Sequence, residues 1–259
     1  MSVSPVPERT LQVGFLQVEF YDGRDKLGAA AAHAVADRMK ETIASRGSVA
    51  VVFASAPSQN EFLATLSTLG GIQWNKVIAF HMDEYLGLGA GSPQGFGSFL
   101  QVNLYDAVKP GAVHFLDGQA DDPQAECRRY AELLKANPID IVCAGIGENG
   151  HLAFNDPPVA NFDDPEQVKV VPLDHACRMQ QVHDGCFPDF ESVPGHALTL
   201  TIPALTRARW IYAMVPGPTK AQAVEDTLTL PVSTGCPATI LRQHPRAVLY
   251  IDQDSASLL

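Results

Sequence analysis

The sequence has no excess of positive charge: 18 Lys and Arg stand against 29 Asp and Glu, a formal net charge of −11. Phosphate backbones and anionic membranes are held by clustered cations, so no nucleic-acid and no membrane partner is expected. No apolar run approaches the ~20 residues that cross a bilayer. The start, Met1-Ser2-Val3-Ser4-Pro5, lacks the basic and apolar regions of a signal peptide. A cytoplasmic location follows by default. Cysteine is sparse: Cys127, Cys143, Cys177, Cys186 and Cys236 are an odd set without a Cys-x-x-Cys pair. That points away from a disulfide framework or a structural metal and towards reduced packing residues. Repeats, low-complexity tracts and linkers are absent, so residues 1–259, 46% hydrophobic, are read as one domain.

What the sequence does have is alternation. Residues 11–20 read as a first strand after a mobile start. Residues 25–45 read as a helix, with Leu27, Ala31, Val35, Met39 and Ile43 at helical spacing and Arg46-Gly47 closing it. Further strands are predicted over 48–54, 77–80, 113–116, 139–144, 168–173, 196–202, 209–215 and 247–252. Helices are predicted over 61–69, 99–108, 123–136, 174–183, 221–228 and 238–244. Such an order favours a mostly parallel sheet covered on both faces.

Two strand exits carry the chemistry. Strand 139–144 runs into Gly145-Ile146-Gly147-Glu148-Asn149-Gly150-His151-Leu152-Ala153-Phe154-Asn155-Asp156-Pro157. Its glycines, Gly147 among them, permit positive φ and close approach of a ligand. Asn149, His151, Asn155 and Asp156 supply hydrogen-bonding and proton-transfer groups. Ligands of open α/β sheets bind at the carboxyl ends of strands. Taken alone, such a turn could simply satisfy its own backbone. A second exit shifts the balance: strand 77–80 is followed at once by His81-Met82-Asp83-Glu84-Tyr85-Leu86-Gly87-Leu88. Two strand ends would then present carboxylates and a histidine to one cleft.

Two further positions each have two readings. In Ser55-Ala56-Pro57-Ser58-Gln59-Asn60-Glu61, Ser58 is placed to cap a helix and Glu61 to complete a capping box. That helix start is either an anion site or an ordinary cap. Lys220 falls in a first helical turn, where a cation is unfavourable unless an anion lies near, so a phosphate contact stands beside a solvated lysine. The irregular segment 159–190 is either a flap over the cleft or a surface excursion.

With these motifs the chain resembles the glucosamine-6-phosphate deaminase (isomerase) family, whose superfamily includes the 6-phosphogluconolactonases. The resemblance rests on Phe80-His81-Met82-Asp83-Glu84-Tyr85-Leu86-Gly87-Leu88, on 145–157 and on His196-Ala197-Leu198-Thr199-Leu200. Gly217-Pro218-Thr219-Lys220-Ala221 and Pro237-Ala238-Thr239-Ile240-Leu241 with His244-Pro245 add to it. It implies an α/β fold of three layers, α/β/α, around a mostly parallel, Rossmann-like central sheet. It also implies conversion of glucosamine 6-phosphate and water to fructose 6-phosphate and ammonia, with no cofactor and no metal. By resemblance, Asp83 is the base that moves a proton between C2 and C1 of the opened sugar. His151 is the ring-opening acid/base, oriented by Asp156 and supported by Asn149, and Lys220 contacts the phosphate. The partner is a small-molecule sugar phosphate; the oligomeric state stays open, a homo-oligomer included. The chemistry makes the same demands: ring opening needs one proton delivered and one removed, and isomerisation needs a carboxylate beside the C1–C2 edge.

The departures from the family fall on phosphate recognition. Deaminases carry Thr-Gly-Gly-Thr where this chain has Ser55-Ala56-Pro57-Ser58. The hydroxyls of Ser55 and Ser58 remain as expected phosphate contacts, but Pro57 has no N–H and Ala56 lacks a glycine's freedom. A family arginine is missing where Gly185 falls, and Arg178 is the expected replacement. Asp156 is one methylene shorter than the usual Glu. Two alternatives stay open: a lactonase-type hydrolase in which His151 activates water, and a sugar-phosphate-binding regulator without turnover.

Overall fold

The structure, a computed structural model, describes residues 3–89 and 91–259. Met1 and Ser2, in the expected mobile start, and Ala90, in the expected loop 87–97, lie outside the described residues. The chain opens with an antiparallel hairpin, β1 (Arg9–Val13) and β2 (Leu16–Tyr21), where one strand over 11–20 is predicted. Gly14 explains the reversal. Its φ is 61°, and an added Cβ would lie 2.5 Å from the Arg242 carbonyl oxygen, so only glycine turns the chain there.

Then follow α1 (Arg24–Arg46), β3 (Val49–Phe53), α2 (Asn60–Thr68), β4 (Val77–His81), β5 (Asp83–Tyr85) and α3 (Phe96–Leu100). A π-turn over Gln101–Tyr105 leads into α4 (Asp106–Val108), β6 (Ala112–His114), α5 (Pro123–Ala136), β7 (Ile141–Ala144), β8 (Val168–Pro172) and α6 (His175–His183). The rest is β9 (His196–Leu200), α7 (Ile202–Thr206), β10 (Trp210–Val215), α8 (Ala221–Thr229), a 3-10 stretch Pro237–Gln243 and β11 (Ala247–Asp252).

Eight strands form one sheet in the order β1-β2-β11-β10-β7-β3-β4-β6. All its pairings are parallel except β1 with β2. Alternation along each strand divides its side chains between two cores. Val49, Val51 and Phe53 of β3 and Ile141 and Cys143 of β7 pack against α1 and α2. Ala50, Val52, Val142 and Ala144 pack on the other side, with residues of α5, α7 and α8. Burial on both faces is why these strands read as continuous apolar runs, and it makes the fold a three-layer α/β/α sandwich. The five cysteines are free, and all but Cys186 are buried. Among the described residues no helix is long and apolar enough to cross a membrane.

Three expectations are corrected. A second, antiparallel sheet of order β5-β9-β8 stands apart from the main one. The predicted strand 196–202 stops at Leu200, because Thr201 accepts a bond from the Ala204 N–H and caps α7, with Pro203 in its first turn. The capping box does not form either. Ser58 lies inside a 3-10 turn, Pro57–Gln59, and Glu61 instead pairs with Arg24 at 2.7 Å. A third apolar cluster, with Tyr85, Phe96, Phe154, Val171, Cys177 and Phe187, seats the segment 159–190 beside the small sheet. That segment is a packed wall and not a loose excursion.

Candidate active site

Four neighbouring strands of the large sheet, β10, β7, β3 and β4, end side by side. The chain leaving them supplies Lys220, Gly145 to Gly147, Ser55 with Ser58, and Asp83, and these line one cleft together with His151. The cleft is open to solvent and narrow, with a volume of about 60 Å³, and α6 forms its outer wall through Gln180 and Gln181.

The turn after β7 closes on itself: the Gly147 N–H donates to the His151 carbonyl at 3.0 Å, and the Gly150 N–H to the Gly147 carbonyl at 3.0 Å. The imidazole then lies against the backbone so closely that a Cβ on Gly147 would sit 2.1–2.3 Å from its ring atoms. His151 Nδ1 lies 2.9 Å from Asp156 Oδ1 and 2.8 Å from Asn149 Oδ1. Asn149 Nδ2 donates to the same Asp156 oxygen at 3.0 Å. A ring nitrogen facing two oxygen acceptors carries a proton, so Nδ1 is committed to Asp156 and Asn149 and Nε2 is the ring nitrogen left for other partners. The shorter Asp156 therefore still reaches the histidine. Burial pushes its carboxyl up, but His151, Asn149 and the Asp174 N–H hold it below the usual carboxylate range. Ala153 is held at φ 50° in this turn, braced by Asn155 Nδ2, which donates to the Leu152 and Leu200 carbonyls. Asn155 is thus a brace, not a cleft group.

Asp83 is the opposite case. It is 6% exposed, and burial first, then the charge of Glu84, drives its carboxyl well above the usual range. Its neighbours in the motif are structural. The Glu84 carboxylate accepts the N–H groups of Tyr85, Phe96 and Gly97 at 2.9, 3.1 and 2.9 Å and so starts α3. His81 is fully buried, its Nε2 accepts from the Leu116 N–H at 2.7 Å, and burial pushes it down to about 3. The histidine facing the cleft is His151.

The other end of the cleft holds neutral donors and one cation. Lys220 is 4% exposed; burial lowers its pKa, against the charges of Asp184 and Glu148. Ser55 Oγ and Gln59 Oε1 are buried without a partner, and Ser58 Oγ accepts from Gln59 Nε2 at 3.0 Å. Arg178 does not replace the missing arginine. Its guanidinium donates to the Phe190 and Val193 carbonyls at 2.8 and 2.7 Å and lies 3.8 Å over the Phe190 ring, which turns it into the wall. In its stead α6 brings Gln180 and Gln181, which the sequence reading passed over. A signal was available, since Cys177, Gln180 and Gln181 recur at helical spacing and so share a face of a helix predicted to be short.

His151, Asp156 and Cys177 place one ligand atom each within 4.8 Å of one another. Burial and the Asp156 charge hold the Cys177 thiol protonated, and His151 Nδ1 is already committed to Asp156. The trio is a hydrogen-bonded cluster whose donors are not free to ligate.

An α/β sheet with a shielded carboxylate, a histidine–carboxylate pair and a lysine at one carboxyl edge has the layout of an acid–base enzyme acting on a small anion. The chain belongs to the family described as glucosamine-6-phosphate isomerases/6-phosphogluconolactonase, which matches residues 22–250. It is 37% identical over 189 residues to a glucosamine-6-phosphate deaminase of Listeria welshimeri, covering 73% of this chain and 78% of that protein. A deaminase of Bacillus cytotoxicus is 35% identical over 182 residues, 70% of this chain and 68% of that one. A solved monomeric glucosamine-6-phosphate deaminase superposes with a TM-score of 0.86 at 29% identity, covering 93% and 99% of the two chains. A 6-phosphogluconolactonase of Shewanella baltica shares the fold, with a TM-score of 0.76 at 18% identity over 95% and 99%.

Proposed function

We propose that this chain opens the ring of glucosamine 6-phosphate and converts it, with water, to fructose 6-phosphate and ammonia. The observation that carries this reading is that one cleft holds both a buried Asp83, in no ion pair among the described residues, and a His151 whose Nδ1 is held by Asp156. In the proposed sequence, His151 Nε2 takes the anomeric hydroxyl proton and delivers it to the ring oxygen. Asp83 as carboxylate then removes the C2 proton while the C1 oxygen takes up a proton, giving an enolamine, and returns its proton to C1 as the nitrogen gives one up, leaving an imine at C2. Water adds to that imine, the nitrogen leaves as ammonia and the C2 ketone remains. A carboxylate whose pKa is raised is the stronger base for the carbon acid. Lys220, with Ser55, Ser58 and the Gly147 backbone, receives the phosphate at the other end. Because segments from Ser55 to Lys220 contribute, the chain works as one catalytic unit; a cytoplasmic setting fits this reading.

Support comes from relatives named for this activity at 35–37% identity. The lactonase reading has less behind it, since the lactonase neighbours share the fold at low identity and lactone hydrolysis leaves a C1–C2 base idle. The experiment is ammonia release from glucosamine 6-phosphate, run beside 6-phosphogluconolactone hydrolysis. Ammonia release lost in Asp83→Asn is the expected result. Lactone turnover without ammonia would replace the reading.

A further inference from the structure

A cavity much roomier than the cleft lies elsewhere in the molecule. It lies at the opposite edge of the large sheet, has a volume of about 790 Å³ and is lined by Arg46, Lys135, Arg207 and Arg209, with Leu134 and Ala204 in its floor. Such a volume falls within the ~300–1,000 Å³ of small-molecule sites. Arg46 ends α1 just before β3, and Arg209 directly precedes β10, so the groove sits at the amino ends of strands whose carboxyl ends build the cleft.

Its charge is out of keeping with the molecule. Acids outnumber bases 29 to 18 in the chain, yet four of the groove's lining residues are cations and none is an acid. The buried Asp140 beneath it accounts for part of this: its carboxylate pairs with Arg46, lies 3.9 Å from Arg209 and accepts the Ala50 N–H at 3.1 Å. One carboxylate cannot neutralise two arginines. Lys135 meets only Glu132, at 3.7 Å with both side chains exposed, a pairing worth little in water. Among the described residues no carboxylate pairs with Arg207. A surplus of fixed positive charge around an apolar floor attracts a soluble anion. Guanidinium groups, three of the four cations here, match phosphate oxygens with paired N–H donors.

We infer that this groove is a second binding site, separate from the catalytic cleft, for a phosphorylated small molecule whose uncharged portion rests on the apolar floor. The test is calorimetric titration of the full chain with inorganic pyrophosphate, followed in Arg207→Glu/Lys135→Glu and, as the milder variant, Arg207→Gln. Lys220→Met separates this groove from the cleft. The expected result is saturable binding weakened about tenfold or more by the double reversal, weakened less by Arg207→Gln, and kept within about twofold in Lys220→Met. All these substitutions except Lys220→Met alter exposed side chains without buried partners, so thermal midpoints stay near that of the parent. Absence of binding to the parent, or binding lost in Lys220→Met and kept in the Arg207 variants, overturns the inference.

Discussion

The two ends of the cleft are built in opposite ways. At the proton-transfer end, Asn149, His151 and Asp156 come from one turn of chain and satisfy each other before any ligand arrives. At the anion end, Ser55, Gln181 and Lys220 come from three separate segments. A buried hydroxyl there has no partner, and the Lys220 ammonium is in no ion pair among the described residues. A buried polar group without a partner costs free energy that a bound anion recovers. The histidine trio of the first end is finished in the free protein; the second end is completed by its ligand. Substitutions at the first should therefore act on kcat, and those at the second on KM.

The sharpest test of that contrast is Asp83→Asn. Loss of the proposed carbon-acid base should lower kcat for ammonia release about 10²–10⁴-fold with KM little changed. Stability should move the other way. A carboxyl whose folded pKa is raised contributes stability below its unfolded pKa, and that contribution is lost as pH rises through the folded value. At neutral pH the buried carboxylate is then a net cost that the amide removes, so the variant's thermal midpoint should lie above the parent's at pH 7 and converge with it in acid. Asp156 has the inverse sign: its lowered carboxyl stabilises the fold at neutral pH, and that stability is lost as pH falls through the folded value. A lower midpoint for Asp83→Asn at pH 7 would break the contrast.

Next in size is Gly147→Ala. The new methyl would occupy the place of the imidazole, and displacing a proton-transfer group by about 1 Å can cost on the order of 10²-fold in rate. A kcat within a few-fold of the parent would show that His151 does not depend on this seat. Lys220→Met follows at the anion end. One charge-assisted contact is worth about 1.5–3 kcal/mol, so KM should rise roughly 10–100-fold while saturating turnover stays close to the parent's. Equal losses in kcat would place Lys220 in the chemistry instead.

How much was legible follows the same division. The apolar runs of β3, β7 and β10 announce a sheet buried on both faces, and the histidine–carboxylate pair is local in sequence, so both were readable. Non-local pairing was not. β5 is three residues, Asp-Glu-Tyr, too short for alternation, and it becomes a strand only because β9 returns beside it. The reversal at Gly14 depends on the Arg242 carbonyl more than two hundred positions away. Arg178 was misplaced for a related reason: proximity in sequence favoured it, whereas the carbonyls of Phe190 and Val193 hold its guanidinium in the wall.

Gln181 offers the smallest and most discriminating prediction. Its neighbour Gln180 is committed, since its side-chain oxygen accepts the Glu148 N–H at 2.8 Å and its nitrogen donates to Asp184 at 3.2 Å. No described residue bonds the Gln181 amide, which faces the cleft although the residue is 6% exposed. A neutral hydrogen bond contributes about 0.5–1.5 kcal/mol, so Gln181→Ala should raise KM about 2–10-fold and leave kcat and the thermal midpoint nearly unchanged. Gln181→Arg should lower KM below the parent's, because it places a second cation where Lys220 now stands alone. Gln180→Ala should instead reduce the thermal midpoint, since it strips the Glu148 N–H of its acceptor. If Gln181→Ala lowers kcat and spares KM, the anion end is finished before its ligand arrives after all, and the contrast between the two ends fails at its weakest contact.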